Sequence, residues 1–106
     1  MSYEEAMTAV RQYVADRDWS NFHTPENLAK SISIEAGELL ELFQWSSTVD
    51  EAALADELAD VLTYSYLLAD RLGLDPNKLV SDKAVVTERK YPVKKSFGRS
   101  DKYDRL

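Results

Sequence analysis

Apolar residues recur at helical spacing in four stretches of the chain, separated by short polar connections. In the first stretch, Met7, Val10 and Val14 lie three and four residues apart and would face the same side of a helix. The stretches predicted to be helical are residues 3–16, 25–45, 50–72 and 76–90. Nowhere do five residues alternate cleanly between apolar and polar with turn residues at both ends. The pattern therefore predicts an all-α fold, a four-helix bundle.

Capping residues precede three of these predicted helices. Ser2 stands before the first helix with Glu5 three residues later, which is the spacing of a capping box. Thr24 and Asp75 each stand before a proline, the residue best suited to the first helical position. These signals place the starts of the first, second and fourth helices.

The remaining boundaries have weaker signals. Thr48 and Glu51 form a possible capping box before the third helix, and Gly73 suits the position just after its end. Pro92 is expected to end the fourth helix. Residues 17–23 show no period and are predicted to be a loop, and residues 93–106 a flexible or loosely docked tail.

Two pairs of carboxylates stand beside the apolar stripes of the second and third predicted helices. Glu35 and Glu38 form the first pair, and Glu57 and Asp60 form the second. Each pair has i,i+3 spacing, so its members are neighbours on one face of a helix. Ile32, Leu39 and Leu42 flank the first pair at spacings of three and four residues. The second pair is placed similarly by Leu58, Val61, Tyr64 and Leu68.

Like charges at this spacing repel each other and lose solvation when the face is half buried. A multivalent cation held between the two helices would remove both costs. Oxygen ligands without cysteine or clustered histidine favour Mg²⁺, with Mn²⁺ as a substitute. A merely solvated acidic face is the alternative that the spacing leaves open.

Charge is unevenly distributed along the chain, whose formal net charge is −6. Residues 1–77 carry 4 Lys/Arg and 15 Asp/Glu, whereas residues 78–106 carry 9 and 4. An acidic body argues against nucleic-acid binding, which requires a basic face. A basic C-terminal segment beside an acidic metal site would suit a polyanionic small molecule such as a nucleoside triphosphate. A solvated tail that docks weakly on its own acidic body explains the charges equally well.

Composition narrows the class of protein further. The absence of cysteine excludes disulfides and thiolate metal sites. No apolar run approaches the roughly 20 residues that span a bilayer, and no signal-peptide pattern is visible. We expect one cytoplasmic domain of residues 1–92, with no membrane association, and residues 93–106 as a basic tail of the same unit.

Three aromatic side chains lie within five residues of the predicted loop, at Trp19, Phe22 and His23. Any one of them is best explained by packing. Together, just ahead of the helix with the first carboxylate pair, they also suit a wall on which a base stacks.

Several other chemistries are not supported. The chain lacks a glycine-rich phosphate loop and a glycine-flanked serine nucleophile. A di-iron bundle needs Glu-x-x-His on two helices. The single histidine, His23, lies in the predicted loop without a glutamate three residues before it.

Motifs along nearly the whole chain occur in a characteristic order. They are Arg17-Asp18-Trp19, Phe22-His23-x-Pro25-x-Asn27-Leu28, Glu35-Ala36-Gly37-Glu38-Leu39, Glu41-Leu42-Phe43-Gln44-Trp45, Glu57-Leu58-Ala59-Asp60-Val61-Leu62 and Lys90-Tyr91-Pro92-Val93. In this ordered series the chain resembles the MazG-like all-α nucleoside triphosphate pyrophosphohydrolases and, among them, the dCTP pyrophosphatase branch.

The resemblance implies a Mg²⁺-dependent cleavage between the α- and β-phosphates, giving a nucleoside monophosphate and pyrophosphate, for nucleotide-pool house-cleaning. Its metal ligands would be Glu35, Glu38, Glu57 and Asp60, with Glu38 as general base and Glu35 as the alternative. The base would contact the following aromatic residues: Trp19, Phe22, His23, Trp45 and Tyr64.

Basic residues around the Lys-Tyr-Pro motif would meet the phosphates. Those implied by the resemblance are Lys83, Lys90, Lys95 and Arg99, together with Tyr91 of the motif. Thr87 departs from the family, whose members commonly carry asparagine there. Its hydroxyl reaches less far, which weakens the expected phosphate or sugar contact.

Two further readings of the sequence stay open. One is a non-catalytic helical module that binds a partner, and the other is the same enzyme acting on a different or modified nucleotide. Three helices carry apolar stripes that one small monomer does not fully bury, so a homo-oligomer, a dimer or a tetramer, is expected.

Overall fold

The computed structural model describes residues 1–106, which form helices and connecting turns without any strand. The all-α prediction is therefore confirmed. No helix is both long enough and apolar enough to cross a bilayer. The α-helices are α1 (Tyr3–Asp16), α2 (Pro25–Glu41), α3 (Glu51–Arg71), α4 (Pro76–Lys90) and the four-residue α5 (Val93–Ser96), and 3₁₀ turns cover Trp19–Phe22 and Tyr103–Arg105.

The predicted capping residues start three helices as expected. The Glu5 backbone N–H donates to Ser2 Oγ at 3.2 Å, and Ser2 Oγ in turn donates to the Glu5 carboxylate at 3.3 Å. At α2 the Asn27 N–H donates to Thr24 Oγ1 at 3.1 Å. Asp75 caps α4 with its carboxylate. The contacts from the backbone N–H groups of Glu5, Asn27 and Asn77 satisfy donors that the helices themselves leave unpaired.

The C-terminal end of α2 differs from the prediction. The helix ends at Glu41, not at Trp45. Beyond it, Phe43 and Gln44 donate to carbonyls only three residues back, at 3.0 and 3.1 Å. These tighter bonds replace the helical i,i+4 pattern. The apolar period runs on through Phe43 and Trp45, but both side chains are exposed, so burial does not extend the helix.

The predicted cap of α3 was wrong, whereas the residue after its end was predicted correctly. Thr48 and Glu51 do not form the capping box, because Asp50 stands next to the helix and its carboxylate accepts from the Ala53 N–H at 3.3 Å. Gly73 adopts a φ of 70°, which a residue with a Cβ rarely accepts.

The segment between α1 and α2 is more ordered than the predicted loop. Residues Trp19–Phe22 form a 3₁₀ turn that begins after Asp18, whose φ of 54° is left-handed. Asn21 Nδ2 donates to the Asp18 carboxylate at 2.7 Å, and Asn27 Nδ2 donates to the Phe22 carbonyl at 3.0 Å. Aspartate tolerates this conformation better than most residues. The turn and these hydrogen bonds thereby fix the backbone position from which the Trp19 side chain extends.

The chain divides into two compact units, residues 1–73 and 74–106. The domain limits predicted from the sequence, 1–92 and 93–106, stay a prediction. In the first unit a small core joins α1, α2 and α3. Its residues are Val14, Leu28 and Leu67, with Val10, Tyr64 and Leu68 packed against them. Arg11 of α1 also makes two hydrogen bonds to the carboxylate of Asp70 on α3, at 2.6 and 3.2 Å.

This core is small for the apolar content of the chain. Only five hydrophobic side chains are buried, whereas many large ones are exposed. Exposed examples on α2, α3 and α4 are Ile34, Leu40, Leu58, Leu62, Leu79, Val80, Val85 and Val86. Because these side chains are only partly covered, each forgoes part of the about 1.5–3 kcal/mol that full burial contributes.

Candidate metal and nucleotide site

Three carboxylates from α2 and α3 meet in the first unit. Glu35, Glu57 and Asp60 each present an oxygen, and these three oxygens lie within 4.8 Å of one another. All three residues are half-buried. Glu38 is exposed and lies outside this group of three, although it interacts with both glutamates.

The register of the two helices explains this meeting. Glu35 stands six residues before the last residue of α2, and Glu57 stands six residues after the first residue of α3. At a rise of about 1.5 Å per residue, both lie about 9 Å from the connection between the helices. Since α2 and α3 pack against each other, the two carboxylates reach the same level of the pair.

Two carboxylate oxygens in this group are buried without a hydrogen-bond partner. They are Glu35 Oε2 and Glu57 Oε2. An unsatisfied buried acceptor costs about 1–3 kcal/mol, and more when it is charged. The arrangement is therefore unfavourable as it stands, and a cation placed among the oxygens would supply the missing partner. Residues of this type and spacing fit a hard divalent ion.

The pKa values of Glu35 and Glu57 also indicate that the site disfavours their ionised forms. A hydrogen bond with Glu38, then desolvation, and then the charges of Glu38, Asp60 and Glu57 raise the pKa of Glu35 to about 7. Desolvation first, and then the charges of Glu38 and Asp60, raise the pKa of Glu57 above its ordinary value. Near pH 7 Glu35 therefore retains part of its proton, which a bound cation would displace.

An aromatic cavity of about 100 Å³ adjoins the carboxylates and shares Asp60 with them. Its lining residues are Tyr13, Trp19, His23, Asp60, Thr63, Tyr64 and Leu67. The rings of Tyr13 and Trp19 meet edge to face, with centroids 6.2 Å apart, and the guanidinium of Arg17 lies 5.7 Å from the centre of the Trp19 ring. Three of the five aromatic residues predicted for base contact thus line one cavity beside the acidic group.

The other two predicted aromatic residues are exposed and do not line this cavity. Phe22 is 67% exposed at the end of the 3₁₀ turn, and Trp45 is 89% exposed in the turn after α2. Their assignment to the base remains a prediction.

Three lining residues were not predicted from the sequence: Tyr13, Thr63 and Leu67. Tyr13 looked like one more apolar position of α1, and only the packing of α1 against α3 brings it to the cavity. Desolvation, followed by the proximity of Tyr64 and Asp60, raises the pKa of the Tyr13 hydroxyl. Thr63 had a signal that was available, because it lies three residues after Asp60 and shares its face of α3.

The predicted phosphate-contacting residues all lie in the second unit. Lys83, Thr87 and Tyr91 line one shallow, largely apolar depression along α4. Lys90 lies over the ring of Tyr103, with its ammonium nitrogen 4.7 Å from the ring centre. Arg99 pairs with Asp101 at 3.2 Å, and Lys95 is exposed in α5.

The comparisons with a family model, with curated proteins and with solved structures agree with one another. Residues 30–106 match the MazG-like family. dCTP pyrophosphatase 1 of Rattus norvegicus is 40% identical over 105 residues, and that of Homo sapiens is 39% identical; each alignment covers 90% of this chain and 62% of the relative. Among solved structures, a pyrophosphatase from Archaeoglobus fulgidus DSM 4304 matches with a TM-score of 0.78 and 42% identity, covering 84% of this chain and 91% of that one.

The chain spans 62% of the length of the curated relatives it matches. The family match nevertheless extends over well more than half of this chain, from residue 30 in the first half of α2 up to residue 106. The resemblance predicted from the ordered motifs is confirmed, and the chain belongs to the MazG-like family.

Proposed function

We propose that this protein is a Mg²⁺-dependent nucleoside triphosphate pyrophosphohydrolase that releases a nucleoside monophosphate and pyrophosphate. One observation carries the proposal: the three clustered carboxylates, two of them with unpartnered buried oxygens, share Asp60 with an aromatic cavity. An ion site beside a stacking surface is what hydrolysis of a nucleotide requires. The printed names of the relatives, dCTP pyrophosphatase and pyrophosphatase, support the same reaction and a dCTP-like substrate.

Glu35, Glu57 and Asp60 would hold the ion, with Glu38 as the fourth carboxylate. When bound, Mg²⁺ neutralises charge on the phosphate oxygens and orients the anhydride for attack. Mn²⁺ has similar ligand preferences and is the expected substitute.

Glu38 is the proposed general base. It is the exposed member of the four carboxylates and lies outside the close group of three, so it is the least committed to the ion. It would take a proton from water as the water oxygen bonds to phosphorus and the bond between the α- and β-phosphates breaks. Glu35, whose pKa is near neutrality, is the alternative base.

The leaving pyrophosphate carries developing charge that cationic side chains stabilise. Lys83, Lys90, Lys95 and Arg99 are proposed for this role, with Thr87 and Tyr91 as hydroxyl donors. They belong to the part of the chain in which basic residues outnumber acidic ones.

The test of the reaction is a product assay on a panel of common deoxyribonucleoside and ribonucleoside triphosphates, with and without Mg²⁺. We expect monophosphate and pyrophosphate, formed only with the metal and fastest for a pyrimidine deoxynucleotide. Diphosphate and orthophosphate would place the scissile bond elsewhere. If the folded protein turned over none of them, a modified nucleotide would be the next substrate to test, and a non-catalytic binding module the remaining reading.

Mg²⁺ should raise the melting temperature, and the rise should be larger at about pH 8 than at about pH 6. The pKa of Glu35 is raised to about 7 in the metal-free fold, from an ordinary value of 4.5. The stability that this group contributes is therefore fully present below the unfolded pKa and is lost as the pH rises through about 7. Mg²⁺ competes with the same proton, so its binding strengthens over the same range.

Thermal unfolding at several pH values, with and without Mg²⁺, measures this effect. The matched variants are Glu35→Gln, which should flatten the pH dependence, and Glu41→Gln, an exposed glutamate of α2 that should leave it unchanged. A melting temperature that Mg²⁺ does not change at any pH would argue against the ion site.

Trp19→Ala should raise KM for the nucleotide more than it lowers kcat. Base–aromatic stacking contributes about 1–3 kcal/mol per base in nucleic-acid systems, which corresponds to about 5- to 150-fold. Inhibition by inorganic tripolyphosphate, which has no base, should be unaffected. The same comparison with Trp45→Ala tests that exposed residue, and an unchanged KM would remove it from the base site.

We also propose that the protein is a homo-oligomer, a dimer or a tetramer. The small core and the exposed apolar side chains on α2, α3 and α4 support this proposal. Light scattering coupled to size-exclusion chromatography measures the mass directly, and a mass of 12.1 kDa at all concentrations would contradict it.

A further inference from the structure

The C-terminal residues of the second unit fold back onto the end of α4. Gly98 has a φ of 72°, and at this point the chain reverses after α5. Arg99 then fixes the returning segment, because its side chain donates to the Asp101 carboxylate at 3.2 Å and to the Arg105 carbonyl at 3.4 Å. We call residues 98–105 the tail strap.

The tail strap contacts α4 through Tyr103, which touches two consecutive residues. The backbone N–H of Tyr103 donates to Tyr91 Oη at 3.2 Å, and the two rings meet edge to face with centroids 6.2 Å apart. The same Tyr103 ring lies under the Lys90 ammonium, 4.7 Å from its centre. Lys90 takes part in no ion pair in the structure, so this ring is its defined neighbour.

A ring face suits a lysine that must also bind an anion. The ring attracts the ammonium electrostatically but satisfies none of its N–H groups as a carboxylate would. Lysine has a long side chain, and ordering it costs conformational entropy whenever it engages a ligand. A side chain already held against the ring has lost part of that freedom before the phosphate arrives, which strengthens binding.

We infer that Tyr103 is a positioning residue that holds Lys90, and through its backbone Tyr91, ready for the phosphate chain of the substrate. The inference rests on the proposed function, since it assigns Lys90 and Tyr91 to the phosphates. Tyr103 itself would not touch the reacting atoms. Through Tyr103 alone, the tail strap then supports Lys90 and Tyr91 at the end of α4, although no motif in it pointed to this role.

The test compares two substitutions at the same position. Tyr103→Phe keeps the ring and the backbone N–H and should behave as wild type. Tyr103→Leu keeps apolar bulk but removes the ring face, and it should raise KM for the nucleotide and the inhibition constant of tripolyphosphate at least about threefold, with a smaller effect on kcat. Lys102→Gln removes a neighbouring charge of the strap and serves as the control for net charge.

A double-mutant cycle with Lys90→Met shows whether the two residues act together. If Tyr103 works through Lys90, the Lys90→Met/Tyr103→Leu protein should bind tripolyphosphate no more weakly than Lys90→Met alone. Additive losses, or Tyr103→Leu with a lower melting temperature but wild-type KM and inhibition constant, would overturn the inference and leave Tyr103 a structural residue.

Tyr103→Met provides a second probe if Tyr103→Leu does not fold. It replaces the ring with an unbranched apolar side chain that offers no ring face to Lys90 and should raise the same two constants, whereas unchanged constants would contradict the inference. Failure of the proposed function is a separate result, because the wild-type protein itself would then cleave no nucleotide. A wild-type protein that is active, with unaltered Tyr103→Leu kinetics, overturns only the role of Tyr103.

Discussion

Replacing Glu57 by glutamine should lower turnover of the triphosphate at least about a hundredfold, because a bound metal contributes several kcal/mol to the transition state. Glutamine keeps the shape of the side chain but removes the charge that holds the ion. The melting temperature without metal should rise instead. Burial and the charges of Glu38 and Asp60 disfavour the ionised form of Glu57, and the variant is relieved of both. Activity and metal-free stability should therefore change in opposite directions.

Steady-state kinetics and thermal unfolding of the same preparation test both parts. Glu51→Gln is the matched control, because Glu51 is an exposed glutamate in the first turn of the same helix. It should keep wild-type turnover and its Mg²⁺-dependent stabilisation. If Glu57→Gln retained near-wild-type turnover, Glu57 would have no place in the ion site.

Glu38→Gln should lower kcat by about 10²- to 10⁴-fold, the range typical of removing a general base. Because Glu38 lies outside the close group of three carboxylates, the variant should still show the rise in melting temperature with Mg²⁺. Glu38 was predicted both as a fourth ligand and as the base, and this pair of measurements separates the two roles.

Three outcomes of that experiment have different meanings. Low kcat with intact Mg²⁺ stabilisation supports the base. Loss of both indicates that Glu38 serves chiefly as a ligand, and the assignment of the base then passes to Glu35. Turnover close to wild type would remove Glu38 from the mechanism.

Local signals in the sequence predicted most of the helix starts. Ser2, Thr24 and Asp75 cap their helices as expected, since capping depends on residues only two or three positions away. The end of α2 was not predictable in this way. The apolar period continues through Phe43 and Trp45, and only the three-dimensional packing shows that neither side chain is buried.

In the candidate site, too, the features that depend on neighbouring residues were predictable, whereas those that depend on contacts between distant segments were not. Helical i,i+3 spacing indicated that each carboxylate pair shares a face, but it treated Glu35 and Glu38 as equivalent. The register of α2 against α3 makes Glu35 half-buried and leaves Glu38 exposed. The arrival of Tyr13 at the aromatic cavity, and of Tyr103 at the end of α4, depends on contacts between distant segments, which no spacing rule contains.

The order of the site residues along the chain has a consequence for how such proteins diversify. The carboxylates lie on α2 and α3, inside the region shared with the MazG-like family, whereas Tyr13, Trp19 and His23 of the cavity wall precede that region. Part of the proposed base site would then be inherited separately from the ion site, whereas Tyr64 of the same cavity lies on α3 with the carboxylates. Exchanging residues 1–24 with those of a relative should change nucleobase preference while the reaction and its metal requirement stay the same. Natural variation in this short leading segment would let new substrate preferences evolve without rebuilding the chemistry.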